Sequence, residues 1–186
     1  MKKIGLMVVD NSVIKQLKEL IIKNIDSEYR IIEIHDKEML FTKKMDFCII
    51  EDSFDNQGIN YAKTLIENNN DMLVLIISKD GSTIFDAVGI NISSYLRYQD
   101  IKAKFVPAIQ DIIDYLDKKV ERIVRLYGET DEKPEKRLAD KDKKRRANYK
   151  YYTDQVWGLA QNYHLCLNSG EIGIDKCTEL IVDLVK

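Results

Sequence analysis

The chain has three cysteines, Cys48, Cys166 and Cys177, an odd number with no paired CxxC spacing. That excludes a disulfide-framed scaffold and fits reduced thiols in the cytosol. Cys48, inside an apolar run, reads as a buried structural thiol. No segment approaches the roughly 20 apolar residues of a membrane span. The start, Met1-Lys-Lys-Ile-Gly, reaches Asp10 without a long apolar region, so no secretory leader is read. A cytoplasmic protein without a membrane partner is expected. An excess of one charge is missing too. The 29 Lys and Arg against 31 Asp and Glu leave a net charge of -2, which excludes attraction to nucleic acid or anionic lipid by bulk charge. The two histidines, His35 and His164, are isolated, and His35-Asp36 lacks the companions of a catalytic pair or metal site. There is no Gly-rich phosphate loop, nucleophile elbow or dinucleotide fingerprint. No complete catalytic set is visible, so neither an enzyme nor a bound cofactor is expected.

What is present is ordinary globular composition, 45% hydrophobic and 32% charged, in 186 residues, enough for one full domain and an appendage. Short apolar runs alternate with helix-period segments. Ile4 to Val9 reads as a buried strand, followed by Val13, Leu17, Leu20, Ile21 and Ile25 on one helix face, with Asn11 or Ser12 as its cap. Arg30 to Ile34 reads as a strand, Lys37 to Lys43 as a short helix, and Phe47 to Ile50 as a strand ending in Glu51-Asp52. A helix from about Asn60 to Asn68, a strand Met72 to Ser78, a helix at Ile84 to Val88, a strand Ser94 to Leu96 and a long helix through Leu126 follow. Five such cycles predict an α/β fold: a flavodoxin-like, doubly wound, five-stranded parallel sheet over residues 1–127. Its chemistry is expected at the carboxyl ends of the strands, where Asp10, Glu51, Asp52 and Ser78 stand.

Gly128 to Pro134 lacks apolar residues, and a linker is placed at 128–135. Residues 136–186 read as a small α-helical unit, with Tyr152, Val156, Leu159, Ala160, Tyr163 and Leu167 at helical spacing up to Asn168-Ser-Gly170. A last helix from near Asp175 completes a possible hairpin. The stretch 136–150 holds eight basic residues against two acidic ones. Lys143, Lys144, Arg145, Arg146 and Lys150, with Tyr149, Tyr151 and Tyr152 beside them, are the candidate nucleic-acid contacts, for DNA phosphates and base stacking. A solvated helix face accounts for the same run without a ligand.

Met7-Val-Val-Asp-Asn11, Asp46-Phe-Cys-Ile-Ile-Glu51 with Gly58-Ile-Asn-Tyr-Ala62, Leu75-Ile-Ile-Ser78 and Ser94-Tyr-Leu96 stand in a telling order. Together they resemble the CheY-like receiver domain of bacterial response regulators, closest in wording to the receivers of LytTR-type and sporulation regulators. The resemblance implies Asp10 at the second acidic position, with Val9 in place of the first. It implies Glu51 at the phosphoacceptor and Ser78 at the hydroxyl position, and finds no lysine near Arg97-Tyr98-Gln99. Asp46 before four apolar residues, and the smaller spacing deficit to Gly58, favour Glu51 over Asp52 as the acceptor. A working receiver offsets phosphoryl charge with Mg²⁺ and lysine while a carboxylate attacks in line. The set here is degenerate. Mg²⁺, if held at all, would be held weakly by Asp10 and Glu51. The resemblance therefore implies a phosphorylation-independent, two-component-type regulator acting in transcription. It is expected to be a homodimer or to bind a partner protein through its fourth and fifth helices. The alternatives are an interaction adaptor that never touches nucleic acid, and a receiver still phosphorylated on Asp52.

Overall fold

The computed structural model describes residues 1–26, 28–69, 72–128 and 132–185. Two compact units divide between Asp140 and Lys141. The first unit is built on a five-stranded parallel sheet of β1 (Lys2–Met7), β2 (Tyr29–Glu33), β3 (Phe47–Glu51), β4 (Leu73–Ser78) and β5 (Ser94–Arg97). Their order is β2-β1-β3-β4-β5, the doubly wound arrangement that the alternating pattern predicts. Helices α1 (Asn11–Asn24), α2 (Lys37–Thr42), α3 (Gly58–Asn68) and α4 (Ile101–Tyr127) lie between or after the strands.

Alternation along the strands divides the core in two. Ile4, Leu6, Phe47, Ile49, Leu75 and Ile77 meet Val13, Leu17 and Ile21 of α1 and Ile101, Phe105 and Ile109 of α4. Met7, Cys48, Ile50, Val74 and Ile76 point the other way, onto Leu40 of α2 and Ala62, Leu65 and Ile66 of α3. All five residues of β3 are buried, because this strand is central and covered on both faces. Burial also pushes the Cys48 thiol up to about 12, so it stays protonated and packs as an apolar group.

Two sequence expectations fail in this unit. Asp10, and neither Asn11 nor Ser12, caps α1; its carboxylate accepts from the amides of Ser12 and Val13. The helix expected over Ile84 to Val88 does not form, and residues 82–89 are turns. Gly81 and Gly89 bracket the segment at positive φ, and only Ala87 in it is buried, while Phe85 and Val88 face solvent. So short a segment with no apolar face gains too little packing to nucleate a helix. The fourth helix of the expected partner surface is thus absent.

The expected linker at 128–135 includes residues 129–131, which lie outside the described residues. Helix α5 (Pro134–Thr153) runs from the first unit into the second. The second unit continues with α6 (Ser169–Ile172) and α7 (Ile174–Leu184). The long helix expected through Leu167 stops at Thr153, because Asp154 turns the backbone left-handed at φ 53°. Side chains then bind the main chain in the helix's place. The Asn162 amide donates to the Val156 carbonyl at 2.7 Å, and the Tyr163 hydroxyl accepts from the Gly158 amide at 3.1 Å.

Candidate functional site at the strand ends

β1, β3, β4 and β5 end on the same edge of the sheet, which brings Asp10, Glu51, Asp52 and Ser78 to one end of the first unit. Each is already engaged. Glu51 is buried at the end of the central strand. Its Oε2 accepts from the Val9 amide at 2.7 Å and its Oε1 from the Ser53 hydroxyl at 2.7 Å. Its carboxylate therefore reaches across to the end of β1, where Val9 offers a main-chain N–H and no acid. Asp10 is exposed and committed to capping α1. Hydrogen bonds from the hydroxyl and amide of Ser12 hold its carboxyl below the usual range. Ser78 is buried, and its Oγ accepts from the Gly81 amide at 2.9 Å, tying the start of the next turn to the end of β4.

Asp52, although adjacent to Glu51, is used differently. Its Oδ2 accepts from the Thr83 hydroxyl at 2.5 Å and from the Tyr95 hydroxyl at 3.4 Å. Thr83 and Tyr95 are themselves 2.9 Å apart. Glu51 thus binds the β1 side and Asp52 the β5 side. The sequence singles out neither Thr83 nor Tyr95 for this role: Thr83 falls between the strand read to Ser78 and the helix read from Ile84, and Tyr95 within the strand motif Ser94-Tyr-Leu96.

The fifth strand supplies the residue that sequence reasoning passed over. Tyr98 follows β5, in the neighbourhood where the resemblance expected a lysine. Its hydroxyl is buried with no hydrogen-bond partner. Burial, then the nearby carboxylate of Glu51, with smaller effects from Asp10 and Asp52, raise its pKa well above the ordinary phenol value. A neutral phenol thus stands among three acids. Absence of the lysine was legible in the sequence; that its replacement turns inward was not.

Mg²⁺ requires near-octahedral oxygen coordination. Asp10 and Glu51 already spend carboxylate oxygens on amide and hydroxyl donors, and among the described residues no three of His, Cys, Asp and Glu gather as a metal centre. The donor set does not fit the ion.

Gly58 holds this corner. Its amide donates to the Asp52 carbonyl at 3.1 Å, and a Cβ added to it would lie 2.0 Å from the Glu51 carbonyl oxygen and 2.7 Å from that of Asp52. Both obstacles are main chain, so no side-chain rotation relieves them.

On α5, Lys143, Lys144, Arg145 and Lys150 are exposed and Arg146 is half-buried. Arg145 pairs at 2.8 Å with the buried Asp142, and Lys150 at 3.3 Å with Asp154. Lys143 and Lys144 make no ion pair among the described residues. Tyr151 and Tyr152 are over three-quarters exposed, with their rings edge to face at 5.1 Å. Tyr149 instead stacks at 5.6 Å on Tyr163.

Solved structures decide the fold of the first unit. A CheY-like response regulator receiver domain protein from Methanospirillum hungatei superposes with a TM-score of 0.55 at 10% identity, covering 63% of this chain and 98% of that one. The signal receiver domain of an HD domain-containing protein from Pseudomonas fluorescens gives 0.55 at 14% identity, with the same coverage. The first unit has the receiver fold. A LuxR-family DNA-binding response regulator from Staphylococcus aureus shares it at a TM-score of 0.50 and 12% identity, covering 60% of this chain and 98% of that one. A model of the cytidylate kinase-like family matches residues 112–171, about a third of the chain, beginning within the receiver-fold unit and ending in the second. No curated protein matches. No helix among the described residues is long and apolar enough to cross a membrane.

Replacing Gly58 with Ala should cost about 3 kcal/mol of stability, the upper range for overpacking a filled site, read as a lower urea midpoint at unchanged slope. A midpoint equal to that of the parent protein would show that the corner yields freely.

Proposed function

We propose that this protein is a cytoplasmic, non-enzymatic regulator of the response-regulator type whose receiver-fold unit acts without phosphorylation. The observation that carries this reading is Tyr98, a buried neutral hydroxyl beside Glu51 where a phosphoryl-transfer site would need a cation. Phosphoryl transfer places charge on equatorial oxygens that metal and lysine must offset. Here Glu51, one methylene longer than aspartate, has both oxygens bound, and among the described residues no lysine pairs with it. Asp52, the other acceptor candidate, is clasped by Thr83 and Tyr95. The four residues Asp10, Glu51, Asp52 and Ser78 thus form a fixed acidic end of the sheet whose charge never turns over. Incubation with acetyl phosphate and Mg²⁺ should leave the intact mass unchanged. A stoichiometric acyl phosphate on either carboxylate would overturn the reading.

Output is assigned to transcription through the second unit. Exposed Lys143, Lys144, Arg145 and Lys150, with Tyr151 and Tyr152 displayed beside them, offer phosphate contacts and stacking faces. Random-sequence duplex DNA should be retarded in a salt-dependent manner, and replacing the four basic residues with Gln should abolish the shift. Absence of retardation at low salt would favour the adaptor reading, in which the protein works through partner proteins. The partner-facing surface on the first unit is α4 with the exposed Phe85 and Val88 of the neighbouring turns, and a homodimer is the arrangement assigned to it.

The match to the cytidylate kinase-like family favours a second reading, nucleotide chemistry in residues 112–171. A phosphate-cradling glycine loop is missing from the sequence, so the protein should leave cytidine monophosphate unchanged in the presence of ATP and Mg²⁺. Conversion to the diphosphate, followed by chromatography, would establish the kinase instead.

A further inference from the structure

A second feature of the first unit adjoins the acidic strand-end set at Asp52: a cavity of about 520 Å³ between α3 and the turns after β4. Asp52 is among the residues that line it. The residue is 7% exposed, and Oδ2 takes both hydroxyl bonds, from Thr83 and Tyr95, while Oδ1 has no donor among the described residues. Its described side-chain partners are neutral hydroxyls, and no cation pairs with it among the described residues. Asp86 lines the same cavity from the turns, and Lys63 lines it from α3. Neither forms an ion pair with the other or with any described residue, so opposite charges face one space without meeting across it. Asn60 adds a hydrogen-bonding amide, and Ile90 contributes an apolar surface.

We infer that this cavity binds a small zwitterion, a free α-amino acid, with its ammonium on Asp52 and Asp86 and its carboxylate on Lys63. An ammonium supplies the three donors that Oδ1 and Asp86 lack, and the desolvated setting of Asp52 strengthens that contact. A lysine is a mobile point charge suited to the opposite end of such a ligand. A simple amine leaves Lys63 unanswered, and a simple carboxylate meets two acids. The ligand touches the Asp52 clasp, so its binding bears directly on Thr83 and Tyr95, one in the turns and the other in β5. The inference uses neither Glu51 nor Tyr98, so it survives phosphorylation at Glu51, but it rests on the proposed function to the extent that Asp52 must keep a free carboxylate.

The full chain is titrated calorimetrically with the standard free L-amino acids one by one, and with putrescine and acetate as ligands of a single charge type. At least one amino acid should saturate at one site per chain with a Kd below about 1 mM. Lys63→Met and Asp86→Asn, both at exposed positions where folding is not at stake, should each weaken it about tenfold, a change of about 1.4 kcal/mol. Asp52→Asn should weaken it further, provided the variant keeps the parent's circular dichroism. The inference is overturned if no amino acid saturates, if putrescine or acetate binds as tightly as the best of them, or if the Lys63 and Asp86 variants bind as the parent does.

Discussion

Two adjacent carboxylates buried at the end of a central strand must find donors, and among the described residues both draw them from main-chain amides and hydroxyls. Glu51 takes a main-chain amide from the end of β1 and a hydroxyl from Ser53. Asp52 takes hydroxyls from the β4–β5 connection and from β5 itself. These bonds join four segments through one dipeptide. Gly58 must be a glycine because α3 begins against the carbonyls of that same dipeptide. Hydrogen bonds to buried charged groups stabilise by more than those between neutral groups, and the loss of one leaves an expensive orphan. The strand ends should accordingly be among the less tolerant places in the unit.

The same arrangement gives Tyr98 its meaning. A lysine there would answer the acids and compete with Val9 and Ser53 for Glu51. A neutral phenol brings no charge to answer the acids, and its own ionisation is opposed by burial and by Glu51. Among the described residues, the donors at this end of the sheet are main-chain amides and hydroxyls.

How much of this could be read in advance varies with how local the cause is. The five strands follow from apolar runs such as Phe47 to Ile50 and Leu73 to Ile77, whose burial requirement is carried by the residues themselves. The placement of acids at the strand ends follows from the same pattern. The clasp on Asp52 does not, because Thr83 and Tyr95 are 31 and 43 residues away and meet only through the fold. Segment 84–88 has a helix-compatible sequence but no buried face to hold it, which only the finished packing reveals. In the second unit, the apolar spacing from Tyr152 to Leu167 imitates a helix. Asp154 in the left-handed region and the side-chain bonds of Asn162 and Tyr163 take the backbone elsewhere.

Helix α5 has charged and polar residues around nearly its whole circumference, and among its described side chains only Asp142 is buried. Without an apolar stripe, its helicity rests on backbone propensity and on ion pairs such as Lys136 with Glu132 and Lys150 with Asp154. Added salt screens those pairs on the same scale on which it displaces a cationic helix from phosphate. The ionic-strength dependence of any complex formed by α5 is therefore a composite of counterion release and unwinding of the recognition element. A phosphate count taken from the slope alone would overstate the number of contacts.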